Sequence, residues 1–299
     1  MSGSHPHPRS DHAAIAGLTA RAAIASVSVA LFLLTLKGLA ALQTGSVAML
    51  GSLADSALDV VASLITLLGV RVAAIPADHD HRYGHGKAEA LVALVQVGLI
   101  AASAVGILVR AVGRLASGEA TAHAEYGIGV SVIAMLATLG LLAYQRHVIA
   151  RTGSVAIQAD HVHYQSDLLL NGAVIAALVL DQMAGLTGAD PLFGIAIALW
   201  LAWGAWRAST AAIDQLMDRE WPEEKRRRFI ALAEAHPAVE GIHDLRTRSS
   251  GSRDFAQFCV WVDPAMSIAA AHGVMDEVEA MLMREFPGSE VIIHPEPRV

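Results

Sequence analysis

Acidic and imidazole side chains occur within otherwise apolar stretches of this sequence, where charged groups are costly. Asp55 and Asp59 lie in one such stretch, and His163 and Asp167 lie in another. In each pair the residues are four positions apart, so a helix would place them on one face, one turn from each other. An acid at the centre of a bilayer costs about 2.5–3.5 kcal/mol, and such residues are therefore functional candidates by default.

The two pairs together would supply three carboxylates and one imidazole if their helices faced each other. A ligand set of oxygen and nitrogen atoms suits tetrahedral Zn²⁺, and a dication would also offset the buried negative charge. The imidazole favours Zn²⁺ over Mn²⁺ or Mg²⁺, which prefer all-oxygen sets, and leaves Cd²⁺, Co²⁺ and Fe²⁺ as alternatives. A structural hydrogen bond is the competing explanation for any single residue, but the matching spacing of both pairs favours a metal site.

A second cluster of metal-ligating residue types follows the first acidic pair along the chain. Three histidines and two aspartates occur within residues 78–85. Asp78, His81 and His85 have offsets that suit a metal site, and two nearby glycines favour a tight turn that would fix their geometry. The alternative is a solvated loop at the level of the lipid headgroups.

A third set of candidate ligands is scattered towards the C-terminus and comprises His243, Cys259, His272, His294 and Glu296. Their spacing alone does not establish a shared site. Cys259 is the single cysteine of the chain, which excludes both a disulfide framework and a four-cysteine zinc module.

The elements that must position these residues follow from composition and hydropathy. Of the 299 residues, 54% are hydrophobic and 16% are charged, whereas a soluble domain carries about a quarter charged residues. Six stretches are long and apolar enough to span a bilayer as helices. They are residues 18–42, 47–75, 88–116, 126–147, 155–183 and 191–216. The fold class predicted from them is an α-helical membrane protein.

The chain divides into an N-terminal tail (1–17), a six-helix transmembrane domain (18–216) and a small domain (217–299). In the small domain the pattern predicts a helix at 222–236, strands at 242–248 and 255–262, a helix at 267–286 and a strand at 291–294. This α-β-β-α-β order is typical of a layered α+β domain. Six spans place both termini on one side, and the excess of lysine and arginine on that side indicates the cytoplasm.

At these residues the chain is similar to the cation diffusion facilitator family, and in particular to its bacterial zinc/proton antiporters. The similarity extends from the first span to residue 295. It is carried by residues 52–59, 78–89, 163–167, 243–248 and 287–294. It implies a homodimer in the bacterial inner membrane, with six lipid-embedded spans per subunit and a cytoplasmic metallochaperone-like domain.

The resemblance also implies roles for individual residues. It implies a transport site formed by Asp55, Asp59, His163 and Asp167, and a loop site formed by Asp78, His81 and His85. It implies a charge interlock of Lys87 with Asp218 at the dimer interface, where the membrane and soluble parts meet. It implies a binuclear cytoplasmic site at His243, Cys259, His272, His294 and Glu296, where cysteine and glutamate replace the usual histidine and aspartate. The thiolate would make that site softer.

The implied function is efflux of a divalent metal cation, Zn²⁺ above all, in exchange for protons. Metal and protons compete for the same carboxylates and imidazole, so an alternating site would release metal where protons replace it. The cytoplasmic domain would sense metal and bias one transporter state.

Several alternatives to this function differ in the sequence features that they require. A metal-sensing receptor without transport, a passive divalent channel, and a transporter whose main substrate is Fe²⁺, Cd²⁺ or Co²⁺ stay open. An intramembrane metalloprotease would need an H-E-x-x-H motif, which the sequence lacks, as it lacks a G-x-x-x-x-G-K-[ST] phosphate loop. The net charge of −7 offers no basic surface for nucleic acid.

Overall fold

The computed structural model describes residues 9–44, 47–117, 128–184, 189–251 and 253–298. Six long helices come first within these ranges. They are α1 (Arg9–Thr44), α2 (Val47–Ala73), α3 (Ala88–Ser117), α4 (Ile128–Thr152), α5 (Val155–Ala184) and α6 (Ala189–Leu216). Each helix overlaps one of the six predicted spans, so the prediction of a helical membrane domain is confirmed.

Five helices in the described part of the chain are long and apolar enough to cross a membrane. Their qualifying segments are Ala14–Gln43, Asp55–Ala73, Ala88–Gly113, Val132–Thr152 and Leu192–Leu216. Helix α5 is not among them, and its N-terminal half carries Asp160, His163 and Asp167. Because α5 contacts every other helix of the bundle, protein surrounds much of this polar half, as a bilayer requires of buried polar groups.

Small side chains allow the helices of the bundle to approach closely. The most extensive contacts join α3 with α6 and α1 with α2. Between α2 and α3, a Cβ atom added to Gly69 would lie 2.2 Å from Cγ2 of Val92. Four buried alanines from three helices form a further cluster, and they are Ala90, Ala93, Ala159 and Ala212. Close packing of small residues is the usual way in which membrane helices associate.

The C-terminal domain begins after α6 and has the predicted α-β-β-α-β order. Its elements are α7 (Glu223–Ala233), β1 (Gly241–Ser250), β2 (Arg253–Val262), α8 (Ile268–Glu285) and β3 (Ser289–Pro297). The strands form one sheet in the order β1-β2-β3. Strand β2 pairs antiparallel with β1 and parallel with β3, as expected when a helix connects the parallel pair.

One face of this sheet packs against the two helices and forms the core of the domain. Phe258 and Val260 of β2 are buried there with Phe229 of α7 and with Val278 and Leu282 of α8. The opposite face of β2 carries the more exposed residues 257, 259 and 261. Exposure therefore alternates along β2, and Cys259 lies on the face away from the core.

The loop between α2 and α3 lies against the β1–β2 turn of the C-terminal domain. A Cβ atom on Gly86 would come within 2.3 Å of the carbonyl oxygen of Ser250. The guanidinium carbon of Arg248 lies 4.3 Å from the centre of the Tyr83 ring. The backbones of the two parts are thus in direct contact at Gly86, where only a glycine fits.

Candidate metal sites

Helices α2 and α5 bring three of the predicted ligands together inside the membrane domain. One ligand atom from each of Asp59, His163 and Asp167 lies within 4.8 Å of the others. Nε2 of His163 is 3.1 Å from Oδ1 of Asp59 and 3.9 Å from Oδ2 of Asp167. The side chains of His163 and Asp59 are 11% and 13% exposed, so an ion here would be largely withdrawn from water. We call these three residues the membrane site.

Asp55, the fourth predicted ligand, lies one helical turn before Asp59 on α2. It is exposed in the single chain and does not belong to the group of ligand atoms within 4.8 Å. Because residues four apart share a helix face, Asp55 is on the same side of α2 as Asp59. Its role as a ligand remains a prediction.

A buried polar network lies next to the membrane site, and sequence reasoning did not single it out. Asp160 is fully buried, and its Oδ2 accepts a hydrogen bond from Nε2 of Gln145 at 2.8 Å. The same amide nitrogen donates to Oγ of Ser26 at 3.0 Å. Tyr164, whose ring contacts that of His163, shares a 2.8 Å hydrogen bond with Ser63. The available signal was an acid in an apolar span, four residues before Tyr164.

The loop between α2 and α3 gathers the second predicted set of ligands. Asp78, His81 and His85 each offer an atom within 4.8 Å of the others. Nε2 of His85 and Nδ1 of His81 both lie 3.4 Å from carboxylate oxygens of Asp78. His79 is 98% exposed at its side chain and is not part of the group. We call Asp78, His81 and His85 the loop site.

The backbone of the loop stabilises the ionised form of Asp78. The N–H groups of His81 and Asp80 donate to its Oδ1 at 2.6 and 3.0 Å. The hydrogen bond from His81 is the main reason that the pKa of Asp78 lies below its ordinary value. The carboxylate is therefore charged over the whole physiological range, which is the state that binds a metal.

The three strands of the C-terminal sheet align the third set of ligands. In the sheet register, Cys259 on β2 is opposite His243 on β1 and His294 on β3. His243, Cys259 and Glu296 offer ligand atoms within 4.8 Å of one another, and we call these three the C-terminal site. Nε2 of His243 is 3.3 Å from Oε2 of Glu296.

The two remaining histidines of the predicted cytoplasmic site lie outside this group. His294 is 71% exposed, and its Nε2 is 3.9 Å from Oε1 of Glu296. His272 is on α8, is 77% exposed and lies beside Asp276. In the single chain the C-terminal site thus has a thiol, an imidazole and a carboxylate, a set that suits Zn²⁺. Burial, and then Glu296, raise the pKa of the Cys259 thiol.

Lys87 and Asp218, predicted to form a charge interlock, form an ion pair within the chain. Nζ of Lys87 is 3.0 Å from Oδ1 of Asp218 and also donates to the carbonyl oxygen of Leu216 at 3.1 Å. Arg248 approaches the same carboxylate at 3.4 Å. The pair joins the start of α3 to the segment after α6, and its place in a dimer remains a prediction.

Comparisons with known proteins cover nearly the whole chain. The family model described as the cation efflux transmembrane domain matches residues 23–217, and that of the cation efflux protein cytoplasmic domain matches residues 221–298. The cation-efflux pump FieF of Klebsiella pneumoniae is 42% identical over 280 residues, which cover 94% of this chain and 93% of that protein. FieF of Serratia proteamaculans is 42% identical over 282 residues, with 94% of each chain covered. A solved structure of the MamM CTD in a nickel form is 26% identical, covers 26% of this chain and all of that chain, and has a TM-score of 0.25.

Proposed function

Because this chain belongs to the cation efflux family, and is a membrane transporter rather than an enzyme, we propose that it exports divalent metal cations, with Zn²⁺ as the main substrate, in exchange for protons. The observation that carries this proposal is the membrane site. Two carboxylates and an imidazole converge there between helices of a largely apolar bundle. Such a group is costly in a bilayer unless it binds something.

The ligand chemistry links metal release to proton uptake. A dication binds when the carboxylates are ionised and His163 is neutral, whereas protons bind to the same atoms when the metal leaves. If the site opens alternately to the two sides of the membrane, each side exchanges one kind of ion for the other. The inward proton gradient would then drive metal out, without a nucleotide or a redox step.

Zinc is the substrate that the donor atoms favour. One imidazole among carboxylates suits Zn²⁺ better than Mn²⁺ or Mg²⁺, which prefer all-oxygen sites. Cd²⁺, Fe²⁺ and Co²⁺ accept similar ligands, and a transporter that prefers one of them is the alternative. A competition titration of the purified protein with these ions would rank them directly.

The same reasoning predicts the oligomeric state, the membrane and the orientation of the transporter. We propose a homodimer in the inner membrane of a bacterium, with both termini in the cytoplasm because the positive charges flank the spans on that side. The C-terminal site and the loop site would then face the cytoplasm. Metal bound at the C-terminal site would stabilise one state of the transporter and so report the cytoplasmic metal concentration.

Flux through proteoliposomes tests this function. The full-length protein is reconstituted with a zinc-sensitive dye inside the vesicles, and metal entry is recorded with and without an imposed pH gradient. We expect gradient-dependent exchange in the wild type. Asp59→Asn and Asp167→Asn should reduce it to the rate of empty vesicles, because each removes a charged ligand of the membrane site.

A matched control is Asp80→Asn, which removes an exposed carboxylate of the α2–α3 loop outside the loop site. It should exchange metal at the wild-type rate. Wild-type activity in Asp59→Asn would refute the membrane site. A flux that does not depend on the pH gradient would indicate a passive channel. Metal binding without any flux would indicate a receptor.

A further inference from the structure

Helix α1 contributes a lysine to the surroundings of the membrane site. Nζ of Lys37 donates a hydrogen bond to Oγ of Ser56 at 2.7 Å. Ser56 is completely buried and lies on α2 between Asp55 and Asp59. The charge of Lys37 also acts on Asp167 of α5. A half-buried ammonium group therefore lies at Ser56, between two of the predicted acidic ligands along α2, without being a ligand itself.

The position of Lys37 is unusual because it forms no ion pair with any residue that the structure describes. In the described ranges of the chain, neither Asp59 nor Asp167 has a lysine or arginine nitrogen within 4.0 Å. Both pair instead with His163. An ammonium inside a membrane domain is as costly as an acid, so its hydrogen bond to a neutral serine does not account for its presence.

The charges of the loaded site indicate a role for the ammonium group of Lys37. Asp55, Asp59 and Asp167 carry three negative charges when they are ionised, and a bound dication offsets two of them. One negative charge would remain in a bilayer, where an uncompensated charge is strongly unfavourable. Lys37 supplies the single positive charge that balances the dication and these three carboxylates.

We propose that Lys37 is a built-in countercharge of the membrane site, which matches the site to a dication and weakens metal binding enough for release. This inference rests on the proposed transport function and deepens it. A site with three unbalanced carboxylates would hold a dication more tightly, because attraction between charges rises in a medium of low dielectric constant. Tight binding slows release, so affinity and turnover should change in opposite senses when the ammonium is removed.

Two substitutions separate charge from shape at this position. Lys37→Gln removes the charge but keeps a long polar side chain that can hydrogen-bond to Ser56. Lys37→Arg keeps the charge. Thr35→Val is a matched control on the same helix, since the Thr35 hydroxyl is exposed and donates only to the backbone of α1. All variants are measured as full-length protein.

The first readout is equilibrium binding, which does not require transport. Zn²⁺ is titrated into detergent-solubilised protein in a background of Asp78→Ala and His243→Ala, which disables the loop site and the C-terminal site. We expect Lys37→Gln to bind Zn²⁺ more tightly by roughly tenfold, while Lys37→Arg and Thr35→Val bind as the background protein does. An unchanged or weakened affinity in Lys37→Gln overturns the proposal.

The second readout is flux in proteoliposomes, where KM and kcat are determined separately. Lys37→Gln should lower both, because the metal binds tightly and leaves slowly, whereas a merely structural defect would lower kcat without lowering KM. Lys37→Arg should restore both values, and equal impairment of Lys37→Arg and Lys37→Gln would overturn the proposal. If the wild type transports no metal, the proposed transport function is refuted. The binding titration still decides the role of Lys37.

Discussion

Cys259 shows how a neighbouring side chain controls the reactivity of a single thiol. Burial and the carboxylate of Glu296 raise the pKa of Cys259, so less of it is thiolate at a given pH than in an ordinary cysteine. We expect Glu296→Gln to remove the charge, lower the pKa of Cys259 and speed its alkylation near neutral pH. The pH dependence of the iodoacetamide reaction in metal-free protein measures this, and no other cysteine competes.

Glu290→Gln provides the control for that measurement. It makes the same change on β3, but Glu290 is opposite Phe255 in the sheet register, far along the strand from Cys259. Its alkylation profile should match the wild type. If Glu296→Gln leaves the profile unshifted, then the contact between carboxylate and thiol does not determine the pKa.

Local spacing predicted which residues of one helix share a face, and it failed where tertiary packing decides. His163 and Asp167 share a face because of helix geometry, which is fixed by the sequence interval alone. Asp160 lies on the same helix, yet its burial depends on Gln145 of α4 and Ser26 of α1. The interval between residues carries no information about which helices pack together, so the partners of Asp160 could not be predicted.

At the scale of the elements, the contact between α2 and α3 depends on the absence of a side chain at Gly69. A Cβ atom there would lie 2.2 Å from Cγ2 and 2.8 Å from Cβ of Val92. Because Val92 is branched at Cβ, it cannot rotate its bulk away. We expect Gly69→Ala to destabilise the membrane domain by about 1–3 kcal/mol, as overpacking usually does, and thermal unfolding in detergent would show it.

A second substitution tests whether the steric contact is the cause. Val92→Ala combined with Gly69→Ala removes the atoms that collide and should recover most of the lost stability. Gly98→Ala on α3 is the control, since a Cβ there meets nothing within 4 Å. If the double variant unfolds as early as Gly69→Ala, the loss arises from something other than this contact.

The strands were predicted in the correct order, but each predicted strand was too short. The strand predicted for β1 ends at Arg248, whereas backbone pairing continues through Ser250, which is opposite Arg253. Residues 249 and 250 are small and polar and lie beyond the predicted end of the strand. Ladder hydrogen bonds do not depend on side-chain polarity, so hydropathy cannot locate the end of a strand. The shift in register between His243 and Arg246 likewise cannot be predicted from the hydropathy of the sequence.

At the scale of the whole molecule, the contact at Gly86 lies between two candidate metal sites. The loop site is on the membrane side of the contact, and the strands that carry His243 and Cys259 end at the β1–β2 turn on the other side. Ion pairs across this boundary, such as Lys87 with Asp218, are partly exposed and are worth only about 0–1 kcal/mol each. The close backbone approach is therefore the contact most sensitive to a single substitution.

Gly86→Ala tests whether this contact holds the two parts together. The added Cβ would lie 2.3 Å from the carbonyl oxygen and 2.6 Å from the carbonyl carbon of Ser250, and backbone atoms cannot move aside as a flexible side chain does. We expect the α2–α3 loop and the β1–β2 turn to separate. Hydrogen–deuterium exchange should then increase in residues 78–87 and 246–251, while α8 and β2 stay protected because their core is untouched.

The same variant links this contact to function through the C-terminal site. If metal sensing passes through the contact, the zinc flux of Gly86→Ala should no longer change when His243→Ala disables the C-terminal site, whereas the flux of the otherwise wild-type protein should change. Gly98→Ala serves again as the control and should retain the response to His243→Ala. Unchanged exchange in both segments of Gly86→Ala, or a preserved response to His243→Ala, would show that the two parts communicate by another route.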